Sequence, residues 1–98
     1  MGFKIIVSPN AQNDIEKAID FYVKHSEKAP GDFIKTLAKS YDLLALNPFF
    51  EIRYKNIRSL KLRKFPFSLY FTVNKERQII RILSCFHNNR DPQNLPDF

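Results

Sequence analysis

The chain has 98 residues and a formal net charge of +6, with 44% hydrophobic and 14% aromatic residues. This length allows one hydrophobic core, and this composition is typical of a globular domain rather than a disordered chain. The apolar runs are too short to span a bilayer, no signal-peptide core follows the start, and two glycines exclude a glycine-rich phosphate loop. We therefore expect a single domain over residues 1–98.

The first element is a strand that leads directly into a helix. Residues 3–7 form a short β-branched, apolar run, which is typical of a strand. Ser8 suits the N-cap of a helix and Pro9 suits its first position. Apolar residues then recur at helical spacing, and we expect this helix to end near Lys28. The residues expected on its buried face are Ala11, Ile15, Ala18, Ile19 and Tyr22.

A second amphipathic helix follows a predicted turn at residues 29–32. We expect it to begin near Asp32 and to end at Asn47, where Pro48 prevents its continuation. A short turn between two amphipathic helices predicts an antiparallel helical hairpin. The residues expected to be buried in this helix are Phe33, Ile34, Leu37, Ala38, Tyr41, Leu44 and Ala45.

The pattern changes to strands after Pro48. The candidate strands are residues 51–55, 60–63, 67–73 and 79–86, and residues 87–98 form a loop-like tail. This order predicts the α+β class: a strand, a helical hairpin, and a three- or four-stranded antiparallel meander with both helices on one face. The pairing of the first strand stays open.

Alternation along the strands predicts which side chains face the helices. The expected inward residues are Leu60, Leu62, Phe67, Leu69, Phe71, Val73, Ile80, Ile82 and Phe86. The opposite face then collects Lys61, Arg63, Ser68, Tyr70, Thr72, Ile79, Arg81, Leu83 and His87. Basic side chains beside exposed apolar ones are typical of a docking surface. Alternatively, the tail or the first strand covers the Ile79 and Leu83 patch.

The whole net positive charge comes from the second half of the chain. Residues 1–50 hold six lysines and six carboxylates, whereas residues 51–98 hold ten basic residues, including all six arginines, and four acids. Arginine favours phosphate and carboxylate partners. The asymmetry indicates an anionic partner, either a nucleic acid or an acidic protein, with a solvated basic face as the alternative.

The cysteine content limits which disulfides and metal sites the chain can form. Cys85 is the single cysteine, so the chain can form neither an internal disulfide nor a zinc site built on cysteines. No base stands beside it in a recognisable nucleophile arrangement, and we expect a small buried residue. We expect a reducing, cytoplasmic location and neither a metal nor a cofactor.

Several stretches, in this order, resemble the toxins of the RelE/ParE superfamily of type II toxin–antitoxin (plasmid stabilisation) systems. They are residues 8–11, 14–22, 43–48, 53–58, 65–71 and the His-x-x-Arg-Asp-Pro ending at 87–92. This ending is similar to the one common in ParE-like members. Asn56 stands where relatives often have glycine, and we expect it to take the positive φ of this turn, which asparagine tolerates.

The resemblance implies a bacterial toxin that an acidic antitoxin neutralises, and it leaves two targets open. One branch of the superfamily cuts mRNA on the ribosome, whereas the ParE-like branch poisons DNA gyrase and is not a nuclease. Ser68 stands where many ribonuclease members carry an arginine, and a serine cannot neutralise the phosphorane formed during cleavage. We therefore expect a ParE-like gyrase poison. Alternatives are a RelE-type ribonuclease, an inactive member that serves as a binding module, and a generic RNA-binding domain.

The candidate functional residues follow from the charge pattern and the resemblance. For metal-free RNA cleavage the candidates are Lys61, Arg63, Arg81 and His87, with His87 as the near-neutral acid or base. For binding the target or the antitoxin they are Lys61, Arg63, Tyr70, Arg81, Leu83, His87 and Arg90.

Overall fold

In a computed structural model, which describes residues 2–50 and 52–88, the chain forms two helices and one five-stranded sheet. The elements are β1 (Lys4–Val7), α1 (Pro9–His25), α2 (Ala29–Leu46), β2 (Ile52–Tyr54), β3 (Ile57–Lys61), β4 (Phe67–Asn74) and β5 (Ile79–His87). The α+β order of a strand, a helical hairpin and a meander is confirmed, with four strands in the meander.

Ser8 caps α1 as predicted. Its Oγ accepts a hydrogen bond from the backbone N–H of Ala11 at 3.1 Å, and Pro9 occupies the first turn, where its missing N–H costs nothing. The helix ends at His25 and not near Lys28, because Ser26 adopts an extended backbone with φ −163° and ψ 142°.

Helix α2 begins at Ala29, so the predicted turn at residues 29–32 is wrong. Ser26 Oγ accepts hydrogen bonds from the backbone N–H groups of Lys28 at 3.3 Å and Ala29 at 3.1 Å. These bonds satisfy donors that have no partner inside the helix, and Pro30 is compatible with a first helical turn. The connection between the helices is therefore only residues 26–28.

The buried face of α2 is narrower than predicted. Phe33, Leu37, Ser40 and Leu44 are buried. Ile34 is 50% exposed and Ala38 is exposed, contrary to the prediction, because both lie one position beyond this stripe. Buried Ser40 is tolerated because its hydroxyl donates to the backbone carbonyl of Thr36 at 2.8 Å.

The sheet has the order β1-β5-β4-β3-β2, with β1 parallel to β5 and the other pairs antiparallel. The helical hairpin connects β1, at one edge of the sheet, to β2, at the opposite edge. Ile5 pairs with Ile80 and Val7 with Ile82, so the inner face of β1 joins the core. This pairing settles the position of the first strand.

The core lies between the helices and the inner face of the sheet. Leu69, Phe71, Ile80 and Ile82 are fully buried there, and the predicted inward positions of β4 are confirmed. The ring of Phe33 on α2 lies 5.8 Å from the ring of Phe67. Burying an aromatic or branched side chain of this kind stabilises a fold by about 1.5–3 kcal/mol.

A β-bulge in β5 reverses the faces predicted for the end of that strand. Tyr70 pairs with Ser84 and the next residue of β4, Phe71, pairs with Ile82, so Leu83 is the extra residue. Beyond the bulge, Phe86 pairs with Ser68 on the outer face, which faces away from the helices. His87 pairs with inward-facing Phe67. The predictions of an inward Phe86 and an outward His87 are therefore both wrong.

The β2–β3 turn places its positive φ on Lys55, at 53°, and not on Asn56 as predicted. Two-residue hairpin turns that match the twist of their strands require the left-handed conformation at the first central position. Lys55 occupies that position, so the turn geometry overrides the preference of asparagine for this conformation.

Candidate functional site

Two of the predicted cations, Lys61 and Arg81, lie on the outer face of the sheet. Lys61 pairs with Ser68 and Arg81 pairs with Thr72, and both basic side chains are exposed. Two strands and four residue positions separate their Cα atoms, which corresponds to about 16 Å. Half-buried Tyr70 lies between them on β4. Exposed Lys4 pairs with Ile79 on this face, and exposed Arg53 donates to Ser59, which pairs with Tyr70. Among the described residues, the positive charges of the outer face are therefore spread across the sheet.

The centre of the outer face is neutral. Ser68 is buried, and its hydroxyl donates to Asn88 Oδ1 at 2.6 Å. The ring of Phe86 is also buried and lies edge-on to the ring of Tyr70, with 6.1 Å between the centroids. A serine, a tyrosine and a phenylalanine therefore occupy the region between the two cations.

Arg63 lies beyond the end of β3 and lines a groove between α2 and the β3–β4 connection. This basic groove has a volume of about 390 Å³. Its lining residues are Thr36, Lys39, Ser40, Leu43, Leu60, Lys61, Arg63 and Lys64. Sequence reasoning missed Lys39 and Lys64, because charge on a helix or in a loop does not indicate which neighbouring element it faces.

His87 lies on the helix side of the sheet, away from Arg81. It lines a cleft of about 350 Å³ between α1 and the ends of β4 and β5, together with Asp14, Lys17 and Phe21. The imidazole ring lies 5.1 Å from the ring of Phe67, in an edge-to-face arrangement. The prediction that His87 shares a surface with the outer-face cations is therefore wrong.

Asp14 joins α1 to the bulged part of β5. Its Oδ2 accepts a hydrogen bond from the fully buried hydroxyl of Ser84 at 2.9 Å and one from the backbone N–H of Cys85 at 3.2 Å. On the other side of the bulge, the carbonyl of Leu83 accepts bonds from Ser8 Oγ at 3.2 Å and Asn10 Nδ2 at 3.1 Å. These side chains satisfy backbone groups of β5 that lie beyond Ile82, the last residue of β5 that pairs with β1.

Cys85 is buried, and its thiol has a raised pKa. Burial raises the pKa of its thiol from 9.0 to about 12, and the nearby carboxylate of Asp14 adds to this effect. Because the reactive form of cysteine is the thiolate, this thiol is a poor nucleophile at neutral pH. Burial likewise raises the pKa of Tyr22 and, to about 12, that of Tyr41.

The apolar residues predicted to be exposed on the docking surface, Ile79 and Leu83, are less exposed than predicted. Ile79 and Leu83 are half-buried, because β1 lies beside Ile79 and the start of α1 contacts Leu83. The predicted cover by the tail and the predicted role of Arg90 lie outside the described residues. Large exposed apolar residues occur instead on the helices and near β2, namely Phe21, Val23, Ile34, Leu43, Leu46, Phe49, Ile52 and Tyr54.

Within residues 2–50 and 52–88, no three His, Cys, Asp or Glu side chains come together so that they could hold a metal ion. Neither helix there combines the length and apolar character that crossing a membrane requires.

Comparison with known protein families shows to which family the chain belongs. The family model described as ParE toxin of type II toxin-antitoxin system, parDE, matches residues 5–92, which is most of the chain. The chain belongs to this ParE toxin family. It is therefore a toxin of the type II toxin–antitoxin class within the RelE/ParE superfamily, and the resemblance seen in the sequence is confirmed. No curated protein matches the sequence of this ParE family member significantly.

Solved structures share the fold of this ParE family member. A chain of the chromosomal ParDE toxin–antitoxin system from P. aeruginosa is 21% identical, with a TM-score of 0.69 over 87% of this chain and 95% of that one. A chain of the RelBE2 toxin–antitoxin complex from Mycobacterium tuberculosis is 15% identical, with a TM-score of 0.63 over 89% and 99%. A chain of the intact E. coli RelBE complex is 14% identical, with a TM-score of 0.56 over 90% and 99%.

Proposed function

We propose that this toxin poisons DNA gyrase, as ParE-like toxins do, and that it does not cut mRNA on the ribosome. The observation that carries this choice is the separation of His87 from Arg81. The two residues lie on opposite faces of the sheet, with the bulge at Leu83 between them. A nuclease built on these residues would need both groups at the same phosphate.

The chemistry of metal-free RNA cleavage explains why this separation matters. A base must activate the 2′-hydroxyl, a cation must hold the phosphate, and an acid must protonate the leaving oxygen, all within hydrogen-bond reach. Here His87 lines the cleft beside α1, whereas Lys61 and Arg81 lie on the outer face. The buried hydroxyl of Ser68 is committed to Asn88 and supplies no positive charge between them.

In this proposal, the outer face contacts gyrase. Lys61 and Arg81 supply exposed positive charge, and Tyr70 supplies an aromatic ring between them. Arginine and tyrosine contribute strongly to protein interfaces because they combine apolar area with directed hydrogen bonds. Leu83 and Arg90 remain predicted members of the same binding surface.

The second part of the proposal is neutralisation by an acidic antitoxin. The chain carries a formal net charge of +6, so an acidic partner would be attracted over a large surface. Support comes from relatives in the RelE/ParE superfamily, since two of the similar structures are toxin–antitoxin complexes. The expected antitoxin has an extended acidic segment that orders on binding.

Two assays with the purified toxin test the target. We expect it to inhibit supercoiling of relaxed plasmid DNA by gyrase and to leave mRNA on translating ribosomes uncut. Ribosome-dependent cuts that disappear in the His87→Ala variant would establish the ribonuclease alternative. Inactivity in both assays, with the fold verified by circular dichroism, would instead support an inactive member that serves as a binding module.

A further inference from the structure

One end of the sheet carries two exposed aromatic side chains. Strands β1, β3 and β5 begin at this end, and the β2–β3 turn (residues 55–56) and the β4–β5 turn (residues 75–78) both lie there. Tyr54, next to the first turn, is 57% exposed, and Phe49, which precedes β2, is 48% exposed. The ring of Phe49 lies 5.9 Å from that of Phe3, just before β1. About half of each exposed side chain is therefore accessible to a partner.

Both of these rings lie beside cations. Lys75 Nζ lies 5.4 Å from the centre of the Phe49 ring, and the guanidinium carbon of Arg58 lies 5.5 Å from the same centre. Lys55 Nζ lies 5.2 Å from the centre of the Tyr54 ring. All three distances are short enough for a cation–π interaction. Since the two turns also hold three cations against one carboxylate, this end of the sheet is positively charged.

The two cations at the Phe49 ring are held with different firmness. Arg58 is half-buried and donates to the backbone carbonyl of Phe50 at 2.6 Å, which anchors its guanidinium. Lys75 is exposed in the β4–β5 turn. A planar base that stacks on the Phe49 ring can displace the Lys75 ammonium, which can then pair with a phosphate of the same strand. A ring and a mobile cation together match one nucleotide.

We propose that this turn end, defined by Phe49, Tyr54, Lys55, Arg58 and Lys75, binds single-stranded DNA. Unpaired bases stack on the two rings, and the phosphates pair with the three cations. A duplex fits less well, because its bases stack on one another and offer no open face to a side-chain ring. An acidic peptide would satisfy the cations but would leave the rings without a planar partner. The choice of DNA over RNA rests on the proposed function, which places the toxin at an enzyme that acts on DNA.

The turn end adjoins the outer face that is proposed to contact gyrase. Arg81 of that face lies two residues after Ile79, where β5 begins, which corresponds to about 7 Å along the strand. One toxin molecule can therefore contact gyrase through its outer face and a DNA strand through its turn end.

A single tryptophan placed in the turn end reports stacking directly. The chain contains no tryptophan, so Phe49→Trp introduces one fluorophore. The probe is a short oligodeoxyuridylate, and we expect saturable quenching of the indole emission when it binds. Phe49→Leu, which keeps an apolar side chain without a ring, should bind a labelled probe about tenfold more weakly than the wild-type chain. The duplex of the probe with oligodeoxyadenylate should bind at least about fivefold more weakly than the single strand.

The salt dependence of binding tests the phosphate contacts. Lys75→Ala should lower the slope of log affinity against log salt concentration by about 0.7, the value for one lost contact to a single strand. Lys35→Ala is the matched control, because Lys35 is exposed on α2 and lies about 16 Å along the helix axis from Leu46 at its end. This control should leave the slope unchanged. Circular dichroism verifies the fold of each variant.

Several results would overturn the proposal. They are equal affinity for the single strand and the duplex, an affinity of Phe49→Leu within about twofold of wild type, and equal slopes for the two lysine variants. Tighter binding of oligouridylate than of oligodeoxyuridylate, which differ only in the 2′-hydroxyl, would overturn the assignment to DNA. These titrations contain no gyrase. Failure of the toxin to inhibit supercoiling would therefore count against the proposed function, and the titrations would still decide whether the turn end binds a single strand.

Discussion

Arg81 and His87 lie six residues apart on β5, yet on opposite faces of the sheet. An even separation keeps two residues of a regular strand on one face. Here the extra residue, Leu83, shifts the alternation, so Arg81 pairs with Thr72 on the outer face and His87 pairs with inward-facing Phe67. A single bulge therefore decides which of the chemically active side chains can act together.

His87→Ala should leave gyrase inhibition nearly unchanged. The imidazole contacts the ring of Phe67 at 5.1 Å on the helix side of the sheet, away from the outer face. The substitution removes an aromatic contact worth about 0.5–1.5 kcal/mol, so the variant stays folded with a slightly lower free energy of unfolding. Supercoiling titrations and urea unfolding measure the two effects. A loss of activity without a matching loss of stability would contradict the assignment.

Arg81→Glu should weaken gyrase inhibition by about tenfold at low salt, because it reverses an exposed charge on the outer face, which is the proposed contact. The difference from wild type should shrink as the salt concentration rises, since ions screen exposed charges. Arg77→Glu is the matched control: Arg77 is exposed in the nearby β4–β5 turn, and the change in net charge is the same. Equal effects of the two variants would show that net charge alone matters.

Much of the fold could be predicted because, in most segments, the apolar residues recur with the period of a helix or of a strand. In β4, Phe67, Leu69 and Phe71 alternate with Ser68 and Tyr70, so one strand fixes both faces of the sheet. In α1, a serine before a proline marks the start of the helix. The parallel pairing of β1 with β5 could not be predicted, because pairing partners leave no periodic signal in one strand.

The candidate site was harder to predict for a related reason. Residues 79–86 are almost all apolar, so they contain no alternation that could reveal the bulge at Leu83. The structure shows in retrospect which residue indicated the bulge: Ser84 is polar in an otherwise apolar run, and its hydroxyl donates a hydrogen bond to Asp14 of α1. Arg81 was assigned to the correct face because it precedes the bulge in β5. Lys61 was assigned correctly because β3 pairs with β4 without a register shift.

Asp14→Ala should lower the free energy of unfolding by about 1–3 kcal/mol, because it leaves buried donors without an acceptor. These donors are the hydroxyl of Ser84 and the backbone N–H of Cys85. Urea unfolding of the wild type, Asp14→Ala, Ser84→Ala and the double variant forms a complete cycle. We expect a clear coupling energy between the two positions. Additive effects would mean that the hydrogen bond at 2.9 Å contributes nothing of its own to stability.

Arg58→Ala should destabilise the chain by about 1.5–3 kcal/mol, since it removes a charged hydrogen-bond donor and leaves a backbone carbonyl without its partner. One guanidinium nitrogen of Arg58 donates to the carbonyl of Phe50 at 2.6 Å, and the same group lies 5.5 Å from the centre of the Phe49 ring. These contacts hold the segment after α2 against β3.

The control for this change is Arg53→Ala on the neighbouring strand. Arg53 donates to Ser59 Oγ at 3.3 Å, but its side chain is exposed, so we expect a change within about 0.5 kcal/mol. Chemical denaturation measures both variants. If the two substitutions cost the same, the segment after α2 does not depend on Arg58.

The stability of this protein should fall with rising pH above about 9. The pKa of the Cys85 thiol is raised from 9.0 to about 12 in the folded chain. A raised pKa stabilises the folded state fully below the unfolded value, and this contribution is lost as the pH rises from 9 towards 12. The loss is at most about 1.4 kcal/mol per pH unit for one group. Tyr41, raised from 10.0 to about 12, adds a second loss that begins one pH unit later.

Cys85→Ala separates the two contributions. Between pH 9 and 10 the variant should lose stability more slowly than the wild type, because the thiol no longer titrates in either state. Above pH 10 both proteins should decline through Tyr41 and Tyr22, whose pKa values are raised from 10.0 in the folded chain. Urea unfolding at a series of pH values gives the slopes, which are independent of the stability offset that the smaller side chain causes. Parallel curves from pH 9 to 10 would mean that the thiol titrates alike in the folded and unfolded chains, which would contradict its burial against Asp14.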